Sequence, residues 1–231
     1  MKITIPRAQP SELPPMGMHH AVCYAVVDFG TQSGQFGPNR QIYIGWELPD
    51  AVTSRGRPFA VGKYYTIMPG STPRKLKEDL EGWFGRAMQE DELCNLNLLD
   101  ELLGRAATLG VVQGEKNGKR RADITAVMPP GRGAPVRAQT SNAPLRFGLE
   151  DGLDRAAYDI LPGWMKAIIA RSPEYKQAIA PEMAKGTTDE RLKQHLGGGN
   201  GSPPPTGDLD DSIPFVTSAP AFEPYLKRKV V

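Results

Sequence analysis

The chain has 231 residues, 25 glycines, 22 prolines, two cysteines and a formal net charge of +2 at pH 7. This length allows one domain of about 150 residues with a small appendage, and so many Pro and Gly residues favour a turn-rich β fold over a helical bundle. The charge excess is too small to indicate nucleic-acid binding by itself, and the few Cys and His residues lack metal-ligand spacing, so we expect reduced thiols, no metal and no cofactor.

The apolar runs of the chain are short. The run AVCYAVV at 21–27 falls far below the roughly 20 residues needed to span a bilayer. The N-terminus also lacks the basic, apolar and cleavage regions of a signal peptide. We therefore expect a soluble, intracellular protein of the cytoplasm.

Three strands are predicted after an N-terminal arm, which we place at 1–18. They lie at 20–32, 40–48 and 58–68, where β-branched and aromatic residues are dense. In the second strand, one face is predicted to carry Ile42, Ile44, Trp46 and Leu48. Gly62 predicts a bulge in the third strand.

A helix and a hairpin follow these strands. Residues 71–85 begin with capping residues and place Leu76, Leu80 and Trp83 at helical spacing, so we expect a helix with Trp83 in the core. Residues 106–115 and 119–130 predict two strands joined at Asn117-Gly118, a dipeptide typical of tight β-hairpins. In the last strand, one face is expected to carry Ala122, Ile124, Ala126 and Met128.

Three strands, a helix and two strands is the element order of the OB-fold, a five-stranded Greek-key barrel. We therefore assign 19–148 to a mainly β OB-fold domain with a helix between strands 3 and 4. Residues 149–196 predict short helices, which form either a cap docked on the barrel, the alternative we favour, or a separate functional module. A disordered linker and tail are expected at 197–231, because the stretch GGGNGSPPPTG cannot bury enough apolar surface to become ordered.

OB-folds hold single strands with a basic groove and with aromatic faces on which bases stack. Tyr43 is expected to point out of the barrel, since it lies opposite the Ile42 face, and either Tyr64 or Tyr65 must do the same. The last hairpin is crowded with Lys116, Lys119, Arg120 and Arg121. The predicted DNA-binding residues are Phe36, Arg40, Tyr43, Arg55, Arg57, Lys63, Tyr64, Tyr65, Lys119 and Arg121. For any single strand tyrosine, packing in the core or at an edge is the competing interpretation.

The tail carries an acidic motif, DDSIPF at 210–215, after the linker. It resembles the acidic tip of single-stranded DNA-binding proteins, and the stretches VVDFGTQ, IYIGWEL and LKEDLEGWFGR are similar to the bacteriophage-type members of that family. The resemblance implies that a replication, recombination or repair partner binds Asp210, Asp211, Ile213, Pro214 and Phe215. The chain departs from the family pattern at Ser212, which replaces an acid, and in the sixteen residues that follow Phe215.

The expected function is binding of single-stranded DNA with little sequence preference, without enzymatic activity, during DNA replication, recombination or repair. No Walker loop, HExxH or GxSxG motif is present in the sequence. Two alternatives remain: a protein-interaction or assembly factor whose barrel binds no nucleic acid, and, less favoured, a metal-dependent nuclease built from scattered acids. The sequence is compatible with a homo-oligomer, whichever of these functions the protein has.

Overall fold

The computed structural model describes residues 12–34, 37–94, 96–116, 118–150 and 152–184, and these residues form a mainly β structure. The strands are β1 (Gly17–Gly34), β2 (Gly37–Val52), β3 (Pro58–Ile67), β4 (Ala106–Lys116), β5 (Lys119–Met128) and β6 (Leu145–Phe147). The helices are α1 (Arg74–Phe84), α2 (Glu90–Cys94), α3 (Leu98–Leu102), α4 (Arg155–Asp159), α5 (Gly163–Ile169) and α6 (Pro173–Ala184). The mainly β class is confirmed, and the five predicted strands and α1 follow the predicted order, but α2 and α3 also lie between β3 and β4 and β6 follows β5.

The strands form one sheet in the order β3-β2-β1-β4-β5, and each pair of neighbours in this order is antiparallel. The long strand β1 is shared: its first half pairs with β4, and residues Ala25–Val27 also pair in parallel with β6. β6 has only three residues, too few to show an alternating pattern, and it was not predicted.

The inward face of the sheet packs on α1. Ile42, Ile44, Trp46 and Leu48 lie in this first core, as their alternation predicts, together with Leu76, Leu80 and Trp83 of the helix. The indole Nε1 of Trp83 donates a hydrogen bond of 2.7 Å to the carbonyl oxygen of Ala106, so its one polar group is satisfied inside the core. Trp46 and Trp83 are both buried.

The outward face of β1, β2 and β3 is covered by a second core. This cluster contains Phe29 and Tyr43 from the sheet, Phe147 from β6, and Leu161 and Ile168 from the helical segment. Helices α4, α5 and α6 therefore lie against the sheet as a cap. We use the name "cap" for residues 155–184 below.

Glu174 of α6 links the cap to β1 by hydrogen bonds. Its carboxylate accepts hydrogen bonds from the amide nitrogen of Thr31 at 3.0 Å and from the Thr31 hydroxyl at 2.5 Å. Burial raises the pKa of Glu174, but the Thr31 hydrogen bonds and the charge of Arg40 outweigh burial, and the pKa lies below its usual 4.5. The ionised carboxylate is therefore the form that the folded state favours.

Acid is expected to weaken this attachment. A carboxyl whose folded pKa is depressed stabilises the fold fully above its unfolded pKa, and that stabilisation disappears as the pH falls through the folded pKa. We expect wild type to lose stability below about pH 4.5 partly through Glu174. In Glu174→Gln this part of the pH dependence should be missing, which urea unfolding at pH 7 and pH 3.5 would measure. An equal loss in both proteins would contradict the assignment.

Candidate nucleic-acid interface

Tyr43 lies on the outward side of β2, as the alternation predicts, but it is only 8% exposed. Its ring centroid lies 5.5 Å from that of Trp164 and 5.2 Å from that of Tyr64. The expectation of an open aromatic face at Tyr43 is wrong in this structure, because the cap covers it. A base could stack on this ring only if the cap moved away.

Two glycines make room for the Tyr43 ring on the sheet. Gly45 and Gly62 are register partners on β2 and β3, and a Cβ atom at Gly62 would lie 2.1 Å from the Tyr43 hydroxyl oxygen. At Gly45 a Cβ atom would lie 2.9 Å from the ring. The predicted bulge at Gly62 is wrong, since the β2–β3 register runs unbroken through it. Close approach of an aromatic ring explains this glycine instead.

The tyrosine hydroxyls beneath the cap are neutral. Burial raises the pKa of Tyr24 to about 12, although a hydrogen bond with Tyr43 opposes the rise. Burial also raises the pKa of Tyr43 well above its usual value. These rings therefore form part of an uncharged, packed core.

Tyr64 and Tyr65 face opposite sides of β3, as adjacent strand residues must. Tyr64 points outward, is half-buried and packs on Phe29 with ring centroids 5.8 Å apart. Tyr65 points inward, is 1% exposed, and donates a 2.9 Å hydrogen bond to Asp79 of α1. Including Tyr65 among the candidate DNA-binding residues conflicts with its place in the first core.

Arg40 and Lys63 hold elements of the fold together. Arg40 contacts Asp28 on β1 at 2.6 Å and Glu150 at 3.1 Å, and the hydrogen bonds to Asp28 raise the pKa of Arg40. Lys63 on β3 contacts Asp79 on α1 at 2.5 Å. A DNA phosphate would have to compete with these carboxylates for both cations.

The sheet register brings two other groups of cations to one end of the molecule. The first half of β1 pairs with β4, from Gly17 opposite Val111 to Val22 opposite Ala106, and the pairing with β2 starts at Val22, opposite Glu47. β4 continues to Lys116, past the start of β1, and β2 continues from Glu47 to Val52 toward the same end. The β2–β3 loop at 53–57 and the tip of the β4–β5 hairpin therefore lie at the same end of the sheet.

The segment before β1 links the two loops. Glu12 accepts a 2.7 Å hydrogen bond from the amide of Ser54, and the Pro14 carbonyl oxygen accepts one of 2.7 Å from Gln113 of β4. Gln113 in turn accepts a 2.7 Å hydrogen bond from Arg120 of β5. Because two residues of chain span at most about 7 Å, the loop and the hairpin are close neighbours.

We call this surface the basic end and define it as Arg55, Arg57, Lys119 and Arg120, which are all exposed. Arg120 was not among the predicted DNA-binding residues, although it stands in the same basic run. Hydrogen bonds from Ser54 and the charge of Arg55 hold the pKa of Glu12 below its usual value, so this neighbour is an ionised carboxylate. Arg121 lies on the opposite face of β5 from Arg120 and contacts Asp123 at 3.0 Å.

Several predicted residues lie outside the described part of the chain. Phe36 is one of them, and so are the N-terminal residues 1–11 and all residues from 185 onward, which include the acidic motif of the tail. Their predicted roles stay predictions.

Within the described residues, no group of three or more His, Cys, Asp or Glu side chains is placed to hold a metal ion. Cys23 is a buried free cysteine. In the same part of the chain, no helix has the length and apolar character needed to cross a membrane.

Comparison of the chain with known protein families and with curated proteins finds no match.

Proposed function

We propose that the protein binds single-stranded DNA with little sequence preference. The observation that carries the proposal is the basic end, where two hairpin loops that are distant in sequence present Arg55, Arg57, Lys119 and Arg120 together. Lysine and arginine clusters of this kind follow the phosphates of a single strand, and phosphate contacts carry no sequence information. The cations outnumber the neighbouring carboxylates of Glu12 and Glu115.

We further propose that the sheet is an OB-fold barrel. The element order supports this assignment, as does the way in which β1 is shared between β2 and β4 while α1 connects β3 to β4. The outer strands β3 and β5 approach within 8 Å of each other, which is the contact that closes such a barrel. OB-folds take up oligonucleotides on the face of strands 2 and 3 and with the loops that follow strands 1 and 4. The β4–β5 hairpin of the basic end is the second of these loops.

The proposed setting is the cytoplasm, with a bacteriophage-type role in DNA replication, recombination or repair and without enzymatic activity. The tail would recruit the partner proteins through Asp210, Asp211, Ile213, Pro214 and Phe215. Sequence alone supports this part: a Gly- and Pro-rich stretch precedes a motif whose acids can contact a basic rim and whose Phe215 can fill an apolar pocket.

Titration of the full chain with a fluorescent oligothymidine and with a duplex of equal length tests the proposal. We expect tighter binding to the single strand, with affinity falling as salt rises at a log-log slope of about −0.7 per phosphate neutralised. Replacing both Arg55 and Arg120 by Ala should weaken binding, and the slope should become shallower by about 0.7 for each phosphate that is no longer neutralised.

Arg171→Ala is the matched control, because Arg171 is exposed but lies in the turn between α5 and α6. It should bind as wild type does. Equal or tighter binding to duplex, or equal damage by the control, would refute the proposal.

A further inference from the structure

The cap leaves part of the outward sheet surface open. It packs on the second half of β1 and on the outward tyrosines of β2 and β3, whereas two exposed methionines lie at the start of β1 and just before it. Met16 is 67% exposed, Met18 is 56% exposed, and Val112 on the neighbouring strand β4 is 41% exposed. Large apolar side chains grouped at this exposure usually mark a binding surface.

Met18 and Val112 share one face of the sheet, and Met16 lies two residues before Met18, just outside β1. Ala21, Cys23 and Val111 point into the first core, so residues at the opposite parity, Met18 and Val112, point outward. Met18 lies opposite Gly110 and Gly17 lies opposite Val111, so Met16, one residue before Gly17, lies near Val112, one residue after Val111. Residues directly opposite each other on antiparallel strands have side chains on the same face.

The same face continues onto the cationic hairpin. Gly114 and Lys116 are two and four residues from Val112, so both face outward with it. Their register partners are Arg121 and Lys119, which therefore face the same way. Three cations thus continue the apolar patch. The carboxylate of Asp123, the register partner of Val112, lies beside them and holds Arg121 at 3.0 Å.

We propose that this open face, made of Met16, Met18, Val112, Lys116, Lys119 and Arg121, is where the bases of single-stranded DNA lie. The inference rests on the proposed function and specifies the path of the strand: bases contact the apolar residues, and phosphates contact the cations of the hairpin. Single-stranded DNA that follows this path does not contact the aromatic residues beneath the cap. It continues directly onto the basic end through Lys119.

Charge and side-chain chemistry favour a nucleic acid as the occupant. An apolar patch bordered by cations complements a polymer with flat apolar bases and a negative backbone. Methionine side chains are flexible and polarisable, so they adapt to any base and reject none. This property agrees with binding that depends little on sequence.

Two substitutions in the full chain test the path. Met18→Asp and Val112→Asp place a negative charge among the bases and beside the phosphates, and each should weaken oligothymidine binding at least about tenfold. Ile160→Asp is the matched control, because Ile160 is 58% exposed but lies in the cap, immediately after α4. It should leave the affinity unchanged. All three sites are exposed, and unchanged thermal melting would establish that the variants fold.

The outcomes separate the two proposals. If wild type binds no single-stranded DNA, both proposals are overturned. If wild type binds but Met18→Asp and Val112→Asp bind equally well, the open-face path is overturned and the proposed function stands. Photocrosslinking of wild type to an oligonucleotide carrying 5-iodouracil gives an independent reading: crosslinks at 16–20 or 108–116 support the path, and crosslinks confined to β2 and β3 overturn it.

Discussion

Tyr43→Ala is expected to lower the free energy of unfolding by about 3–5 kcal/mol, the usual loss for truncating a buried aromatic side chain. The ring lies between the sheet and the cap, where it contacts Phe29, Tyr64 and Trp164. Its removal would leave a cavity at the centre of the second core. Urea unfolding of the full chain measures the loss.

Tyr43→Phe is the matched control, since it keeps the ring and removes only the hydroxyl beside Tyr24. Its expected cost is about 1 kcal/mol, the contribution of one hydrogen bond. A Tyr43→Ala protein as stable as wild type would contradict the burial of this residue. It would return Tyr43 to the set of accessible base-stacking candidates.

A double-mutant cycle that combines Gly62→Ala with Tyr43→Ala tests the packing of the Tyr43 ring on Gly62. In wild type, Gly62→Ala should be destabilising, because the added Cβ atom would lie 2.1 Å from the Tyr43 hydroxyl oxygen. In the Tyr43→Ala background the same methyl group has space. The free-energy cost of Gly62→Ala should therefore be smaller there than in wild type by at least about 1 kcal/mol. Gly131→Ala, with no atom within 4 Å of the added Cβ, is the control and should show no such coupling.

Phe215→Ala is expected to abolish capture of the partner proteins that co-purify with the full chain. Truncation of a buried aromatic anchor costs at least about 2 kcal/mol, which is roughly a thirtyfold loss of affinity. Affinity for single-stranded DNA should stay unchanged, because the apolar side chain of Phe215 carries no charge with which to contact a phosphate. Quantitative comparison of co-purified proteins and an oligothymidine titration measure both effects.

The tail offers its own control in Phe222, an aromatic residue seven positions beyond Phe215 and outside the acidic motif. Phe222→Ala should capture partners as wild type does. Deleting 208–215 removes three acids and no base, so DNA binding should be equal or tighter at low salt. A deletion that weakens DNA binding while every partner remains would show that the motif belongs to the DNA-binding body.

Local patterns determined the elements of the sheet and the first core. Ile42, Ile44, Trp46 and Leu48 alternate with period two, and Leu76, Leu80 and Trp83 repeat with helical spacing, so each pattern specifies one buried face. The turn at Gly118 is likewise local, since its φ of +73° suits glycine. These predictions needed only the chain within a few residues of each position.

One error on β5 shows where local patterns fail. Strict alternation predicts that Ala122, Ile124, Ala126 and Met128 share a face, but Val127 lies in the core beside Ile124. The register shifts between Gly110 and Val111, where Thr125 of β5 is the extra residue. Beyond such a bulge, the side chains point to the opposite faces from those that alternation predicts, and no residue type in β5 indicates the bulge.

The candidate site was decided by tertiary structure. Alternation gave the side of β2 on which Tyr43 lies, but the helices that cover it come more than a hundred residues later in the chain. Arg40 and Lys63 look like phosphate ligands in sequence, yet their carboxylate partners Asp28 and Asp79 were recognisable only once the strands and α1 were packed. The basic end likewise exists because β2 and β4 both run toward the start of β1, where the segment before β1 contacts the β2–β3 loop and β4. In a strand without a bulge, side-chain direction follows from local alternation, whereas burial, ion pairing and the meeting of two loops depend on contacts between distant segments.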